Sequence, residues 1–111
     1  MTPKQFAKFV ERDGGCVHCG ELEAIAPQHR LNRGAGGKNS KAERVSNIIV
    51  LCSVVNGLIE SDYQWANVAV ENGWKIRSWQ DPSSVPVWFA TRGKLFLLDD
   101  FFNVVEVGKD S

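Results

Sequence analysis

The stretch from residue 16 to residue 60 constrains this chain more than any other. It opens on two cysteines three residues apart, Cys16 and Cys19, and passes through a basic, Gly-rich segment holding a lone His29. It closes on a β-branched run from Ser46 to Cys52 that leads into Asn56. With three cysteines in all, two of them in a CxxC spacing, the pattern fits free thiols or metal ligands in a reducing compartment better than a disulfide framework. Ser46-Asn47-Ile48-Ile49-Val50-Leu51-Cys52 has the composition of a buried strand. Ala24-Ile25-Ala26 begins a brief earlier strand toward Gln28 and His29. Between them, residues 32 to 40 carry Gly34, Gly36 and Gly37 with no apolar periodicity, the mark of a loop. The expectation is a long hairpin whose basic loop is free.

The flanks are read from the same local rules. Thr2, Pro3 and Gln5 form a helix start, since Thr2 caps free amides, Pro3 suits the first helical position and Gln5 reaches back as in a capping box. That helix should run to about residue 12, with Phe6, Phe9 and Val10 on its core face and Asp13-Gly14-Gly15 as its stop. From 53 to 72 the apolar residues Val54, Val55, Leu58, Ile59, Trp65, Val68, Ala69 and Val70 recur near helical spacing. Asn72-Gly73 ends the helix, Gly57 weakens its first turns, and a break is allowed near Ser61. Residues 74 to 79 are expected to form a strand. After the turn cluster Asp81-Pro82-Ser83-Ser84, residues 86 to 90 and 94 to 98 flank Thr91-Arg92-Gly93 as a hairpin, and Phe101 to Val107 supplies a last strand. The four tryptophans, Trp65, Trp74, Trp79 and Trp88, are expected in core and satellite packing, with base stacking the lesser alternative.

A chain of 111 residues buries one compact core rather than two, so a single domain is expected. Thirteen basic residues balance thirteen acidic ones, so net charge gives no argument for a polyanionic partner. The distribution does, because Arg30, Arg33, Lys38, Lys41 and Arg44 lie close together against a single acid, Glu43. If all five met phosphates, the slope of log K against log salt would be about −4.5. No apolar run is long enough to span a bilayer, and Lys4, Lys8, Glu11, Arg12 and Asp13 stand where a signal peptide carries its apolar core. A cytoplasmic protein without membrane association is expected.

Taken together, Arg12-Asp13-Gly14-Gly15-Cys16, Gln28-His29-Arg30 through Gly37, Ser46-Asn47-Ile48 through Ser61, and Gly73-Trp74 through Pro82 resemble the HNH endonuclease family, and most closely the small HNH proteins of actinobacterial phages. The resemblance covers nearly the whole length. It implies an α+β fold with a ββα-metal core at 16–72, an N-terminal helix at 1–15 and a C-terminal antiparallel β extension at 73–111. The implied activity is metal-dependent hydrolysis of DNA phosphodiester bonds in the cytoplasm of a phage-infected bacterial host.

Carried over residue by residue, His29 matches the general base and Asn47 the bracing Asn, while Gln28 and Asn56 occupy the two metal-ligand positions for Mg²⁺ or Mn²⁺. Arg30, Arg33 and Lys38 are expected on DNA phosphates. The chain departs from the family pattern in three places. Gln28 replaces the first His or Asp, Val55 replaces the second cysteine of the later pair, and Asn56 replaces the His after it. A neutral amide supplies no charge to a hard cation, so weaker metal binding is expected. Many relatives hold a structural Zn²⁺ on four cysteines. Here Cys16, Cys19 and Cys52 are the remnant, one ligand short of a tetrahedral site, with His18 placed inside the knuckle. The expectation is that zinc has been lost and replaced by packing of Val55. The alternative function is a catalytically impaired HNH fold acting as a DNA-binding or protein-binding module. Glu60 and Asp62 are expected to be solvated helix residues rather than ligands.

Overall fold

The first helix, α1 (Pro3–Asp13), begins as its sequence dictates. Thr2 Oγ1 accepts from the Gln5 amide at 3.1 Å, the Gln5 side chain accepts from the Thr2 amide at 2.9 Å, and Gly14 closes the far end in the left-handed region at φ 75°. Phe9 is buried against Ile48 and Val50, with Phe6 and Val10 packed beside them. The last turn also anchors the helix by charge. Arg12 and Asp13 form a buried bidentate pair, Arg12 donates to the Val45 carbonyl, and Asp13 accepts from the Val50 amide at 2.9 Å. Burial pushes the Asp13 carboxyl up from its ordinary range, and the adjoining guanidinium and the Val50 amide oppose that shift. The computed structural model describes residues 1–32 and 40–107.

Strand β1 (Ile25–His29) pairs antiparallel with β2 (Ile48–Cys52), in a register that sets Gln28 opposite Ile49 and His29 opposite Ile48. All five residues of β2 are buried, because one face packs on α1 and the other on the helices that follow. Helix α2 (Ser53–Ser61) begins directly after β2, with Cys52 as its N-cap, and α3 (Tyr63–Glu71) follows after Asp62. The break allowed near Ser61 is real. Asp62 is extended at φ −121°, and its carboxylate caps the new helix by accepting from the amides of Gln64 and Trp65. Three strands, β3 (Val87–Phe89), β4 (Lys94–Leu98) and β5 (Val104–Glu106), form the second antiparallel sheet in that order. The described residues thus make an α+β arrangement of three α-helices and two small antiparallel sheets. One core joins the cysteine knuckle to Ile49, Leu51, Val55, Trp74 and Phe89.

Residues 74 to 79 do not form the expected strand. Their backbone donors are committed elsewhere, because the amides of Trp74 and Lys75 close the end of α3 on the Ala69 carbonyl and the Ile76 amide donates to Arg30. The Arg77 amide then meets the Gln80 side chain at 2.7 Å, making a turn. Gly73 enters this segment at φ +77°, and a Cβ there would collide with the Pro86 carbonyl. Trp74 is core as expected, donating from Nε1 to the Trp88 carbonyl at 3.0 Å, but Trp79 is not, being 77% exposed.

Candidate metal and phosphate site

Asn47 ends a 3₁₀ turn (Val45–Asn47) just before β2, and its fully buried side chain joins two segments distant in sequence. Its Oδ1 accepts from the Leu31 amide at 2.8 Å, and its Nδ2 donates to the carbonyls of Leu31 and Ala42. The Asn47 carbonyl also accepts from the Arg30 amide at 2.8 Å. One amide side chain therefore ties the exit of β1 to a second 3₁₀ turn (Ser40–Glu43); the expected basic loop between them lies outside the described residues.

Strand alternation separates the two residues at the end of β1. His29 shares the α1 side of the sheet with Ile48, and its Nε2 lies 3.8 Å from Glu43 Oε2. A cleft of about 430 Å³ opens on this side, lined by Phe9, Glu43, Ile48 and Phe102 among others. Gln28 lies opposite Ile49, whose side chain packs with Val55 and Ile59 of α2. The Gln28 amide nitrogen donates to the His29 carbonyl at 3.1 Å. Asn56, on α2, has a buried Oδ1 with no hydrogen-bond partner. A buried acceptor left bare costs about 1–3 kcal/mol, so this oxygen calls for a cation or an ordered water. Asn56 thus fits one position of a hard oxygen-loving ion such as Mg²⁺ or Mn²⁺. Gln28 and Asn56 together bring no negative charge to it.

The expected phosphate contacts need correction. Arg30 is fully buried and uses four of its N–H donors on backbone carbonyls: Nε on Gly73, Nη1 on Ser46 and Pro82, and Nη2 on Val85, all at 2.7 to 2.9 Å. Burial, together with the charge of Arg12, pushes its pKa down to about 9, which still leaves it protonated at neutral pH. A guanidinium so enclosed cannot meet a phosphate. Arg44 is committed as well, at 2.9 Å to Asp100 and 3.1 Å to Asp81. Lys41 donates to the Ser78 carbonyl. Arg33 and Lys38 lie outside the described residues.

The three cysteines do converge. Their sulfurs lie within 4.8 Å of one another, Cys19 and Cys52 at 3.9 Å, and among the described residues no histidine or carboxylate joins the group. The knuckle is held by its backbone, through Cys16 N–H to Glu21, Gly20 N–H to Cys16, and Val17 N–H to Val50 of β2. Three thiols suit a thiophilic ion such as Zn²⁺, with the exposed Cys19 leaving a fourth position toward solvent. Although Cys19 as a residue is exposed, desolvation around its sulfur, opposed by the Glu21 amide and reinforced by the neighbouring thiols, pushes its thiol up to about 11. Burial also opposes ionisation of Cys52, but the Val55 and Val54 amides at the start of α2 and the neighbouring thiols hold it below its ordinary value. His18 is not part of the sulfur group, and its ring lies edge-on to Trp65 and Trp74, at 5.6 Å from each.

Sequence reasoning missed the approach of Glu43 to His29, for which only its place on the short acid-poor loop was a signal. It also missed Arg30 as a structural hub, which its basic neighbourhood disguised. Compared with family models, curated proteins and solved structures, the chain matches none.

Proposed function

We propose that this chain is a metal-dependent endonuclease of the HNH type, hydrolysing DNA phosphodiester bonds through a ββα-metal core. The observation that carries the reading is the buried, unpartnered Oδ1 of Asn56, on the helix that directly follows an antiparallel pair whose first strand ends at His29. Asn56 and Gln28 would hold Mg²⁺ or Mn²⁺, which when bound neutralises charge on the phosphate as the pentacovalent transition state forms. In this reading His29 works from the α1 side of the strand pair and Gln28 from the α2 side: His29 takes a proton from water as the water oxygen attacks phosphorus, the bond to the leaving oxygen breaks, and that oxygen takes up a proton from solvent. Glu43 faces the imidazole as it gains charge. Asn47 keeps the His29 strand in place by tying Leu31 to Ala42. The setting is the cytoplasm of a phage-infected bacterium. In the same reading Val55 stands by packing where a fourth cysteine would, so the three converged thiols hold zinc weakly at most, and one tightly held zinc per chain after dialysis would overturn that part.

A plasmid-nicking assay with Mg²⁺, Mn²⁺ and EDTA, run beside His29→Ala, tests the activity. Loss of a general base should lower the rate by about 10²–10⁴-fold. Cutting that survives in His29→Ala, or in EDTA, would overturn the assignment. A second reading, an impaired HNH fold retained for binding DNA or protein, is favoured by the neutral donors at Gln28 and Asn56 and by the enclosure of Arg30. Intact plasmid with every metal, together with a salt-sensitive mobility shift, would support DNA binding.

A further inference from the structure

We infer that Trp79 and the cationic cleft beside it form a platform for an unstacked DNA base and its flanking phosphates. The inference rests on the DNA reading above for the identity of the polymer, and adds where an unpaired nucleotide sits. Three observations support it. First, Trp79 is 77% exposed, an unusual state for an indole, and the turn that carries it is closed on both sides. The Arg77 amide donates to Gln80 Oε1 at 2.7 Å and the Gln80 amide to the Arg77 carbonyl at 3.0 Å, so the backbone beneath the ring is held. Second, a cleft of about 340 Å³ lies against this turn, lined by Leu31, Asn32, Lys75, Arg77 and Trp79 among others, and none of its described lining residues is acidic.

Arg77 has no ion pair among the described residues, while Lys75 bridges Asn32 Oδ1 at 3.0 Å and the exposed Glu60 at 3.5 Å. Lys41, a third cation, is tied to the same turn through its bond to the Ser78 carbonyl. Third, the lining of the cleft begins at Arg30, directly after the end of β1, so it adjoins the proposed site along the chain. An exposed indole with an ammonium and a guanidinium lining the cleft beside it suits a base for stacking and phosphates for the charged groups. An apolar protein surface would leave the Arg77 guanidinium, which has no ion pair among the described residues, without one.

Binding of fluorescein-labelled single-stranded and duplex oligonucleotides is measured by anisotropy in EDTA, where no cleavage occurs. Stacking on one aromatic ring is sequence-tolerant and strong, so Trp79→Ala should weaken single-strand binding by about 5- to 150-fold. Trp79→Phe should keep most of the affinity, and Arg77→Gln should make the single-strand salt slope shallower by about 0.7. Because the ring is exposed, Trp79→Ala should leave the urea midpoint unchanged, which shows that the variant folds. Equal affinities for the native chain and Trp79→Ala, or no oligonucleotide binding by the native chain, would overturn the platform. So would a Trp79-dependent dimer with unchanged DNA binding, which would assign the ring to a second copy. Nicking is scored separately. Trp79-dependent binding without any nicking keeps the platform and removes the nuclease, whereas nicking and affinity both unchanged in Trp79→Ala keep the nuclease and remove the platform.

Discussion

Replacing Arg30 with lysine separates a structural arginine from a phosphate-binding one. The native guanidinium satisfies the carbonyls of Gly73, Ser46, Pro82 and Val85 from three nitrogens spread in a plane. A lysine ammonium has three donors on one nitrogen and cannot span that set. At least one carbonyl loses its partner, and the geometry of the fork makes two the more realistic number. Each buried carbonyl left bare costs about 1–3 kcal/mol, giving a loss of about 2–6 kcal/mol for Arg30→Lys. Against a typical total of about 5–15 kcal/mol for a small domain, that is a large fraction. Urea unfolding followed by tryptophan fluorescence should show the midpoint falling by about 1 M or more, taking a slope of about 1–3 kcal/mol/M. A variant whose midpoint is unchanged while DNA affinity drops would refute the reasoning, because it would put the guanidinium at the surface, where phosphate can reach it.

Three further outcomes follow from the same contacts. Asn47→Ala removes the three hydrogen bonds that join Leu31 to Ala42 and should cost about 2–4 kcal/mol by thermal or urea unfolding, whether or not the chain nicks DNA. Asp81 is held below the ordinary carboxylate value of 3.8 by hydrogen bonds from Ser83 and then by Arg44, and Asp100 by Ser46 and Arg44 against the opposing effect of burial. Because both folded values are depressed, their stabilisation is fully present above the unfolded value and is lost as pH falls through the lower folded values. Urea midpoints taken from pH 5 to pH 2 should therefore fall, and Asp100→Asn should flatten that acid limb. The enclosure of Arg30 and the pairing of Arg44 remove two of the five cations of the basic segment, so duplex binding through that segment should show a salt slope no steeper than about −2.7, rather than −4.5. Mobility shifts between 50 and 200 mM salt read this slope, and a value near −4.5 would mean that Arg30 or Arg44 reaches phosphate.

Features governed by neighbours along the chain were legible from sequence. The Thr2-Pro3-Gln5 cap, the buried run of β2, the Thr91-Arg92-Gly93 hairpin and the helix break near Ser61 each depend on backbone groups within a few residues, and the structure has all of them. The convergence of Cys16 and Cys19 with Cys52 likewise follows once the knuckle is laid on β2. Tertiary structure decided which charges and rings are available to a ligand. Arg30 reads in the sequence as one more cation of the basic segment, yet it is enclosed because carbonyls from residues 46, 73, 82 and 85 meet around it. Trp74 and Trp79 share one short segment, but the first is sealed in the core and the second stands in solvent, because the donors that would have made a strand were spent on Ala69 and Arg30. Periodicity reports how a segment pairs with itself. It carries no information about hydrogen-bond partners forty or fifty residues away, and those partners determine which side chains face solvent at the candidate site.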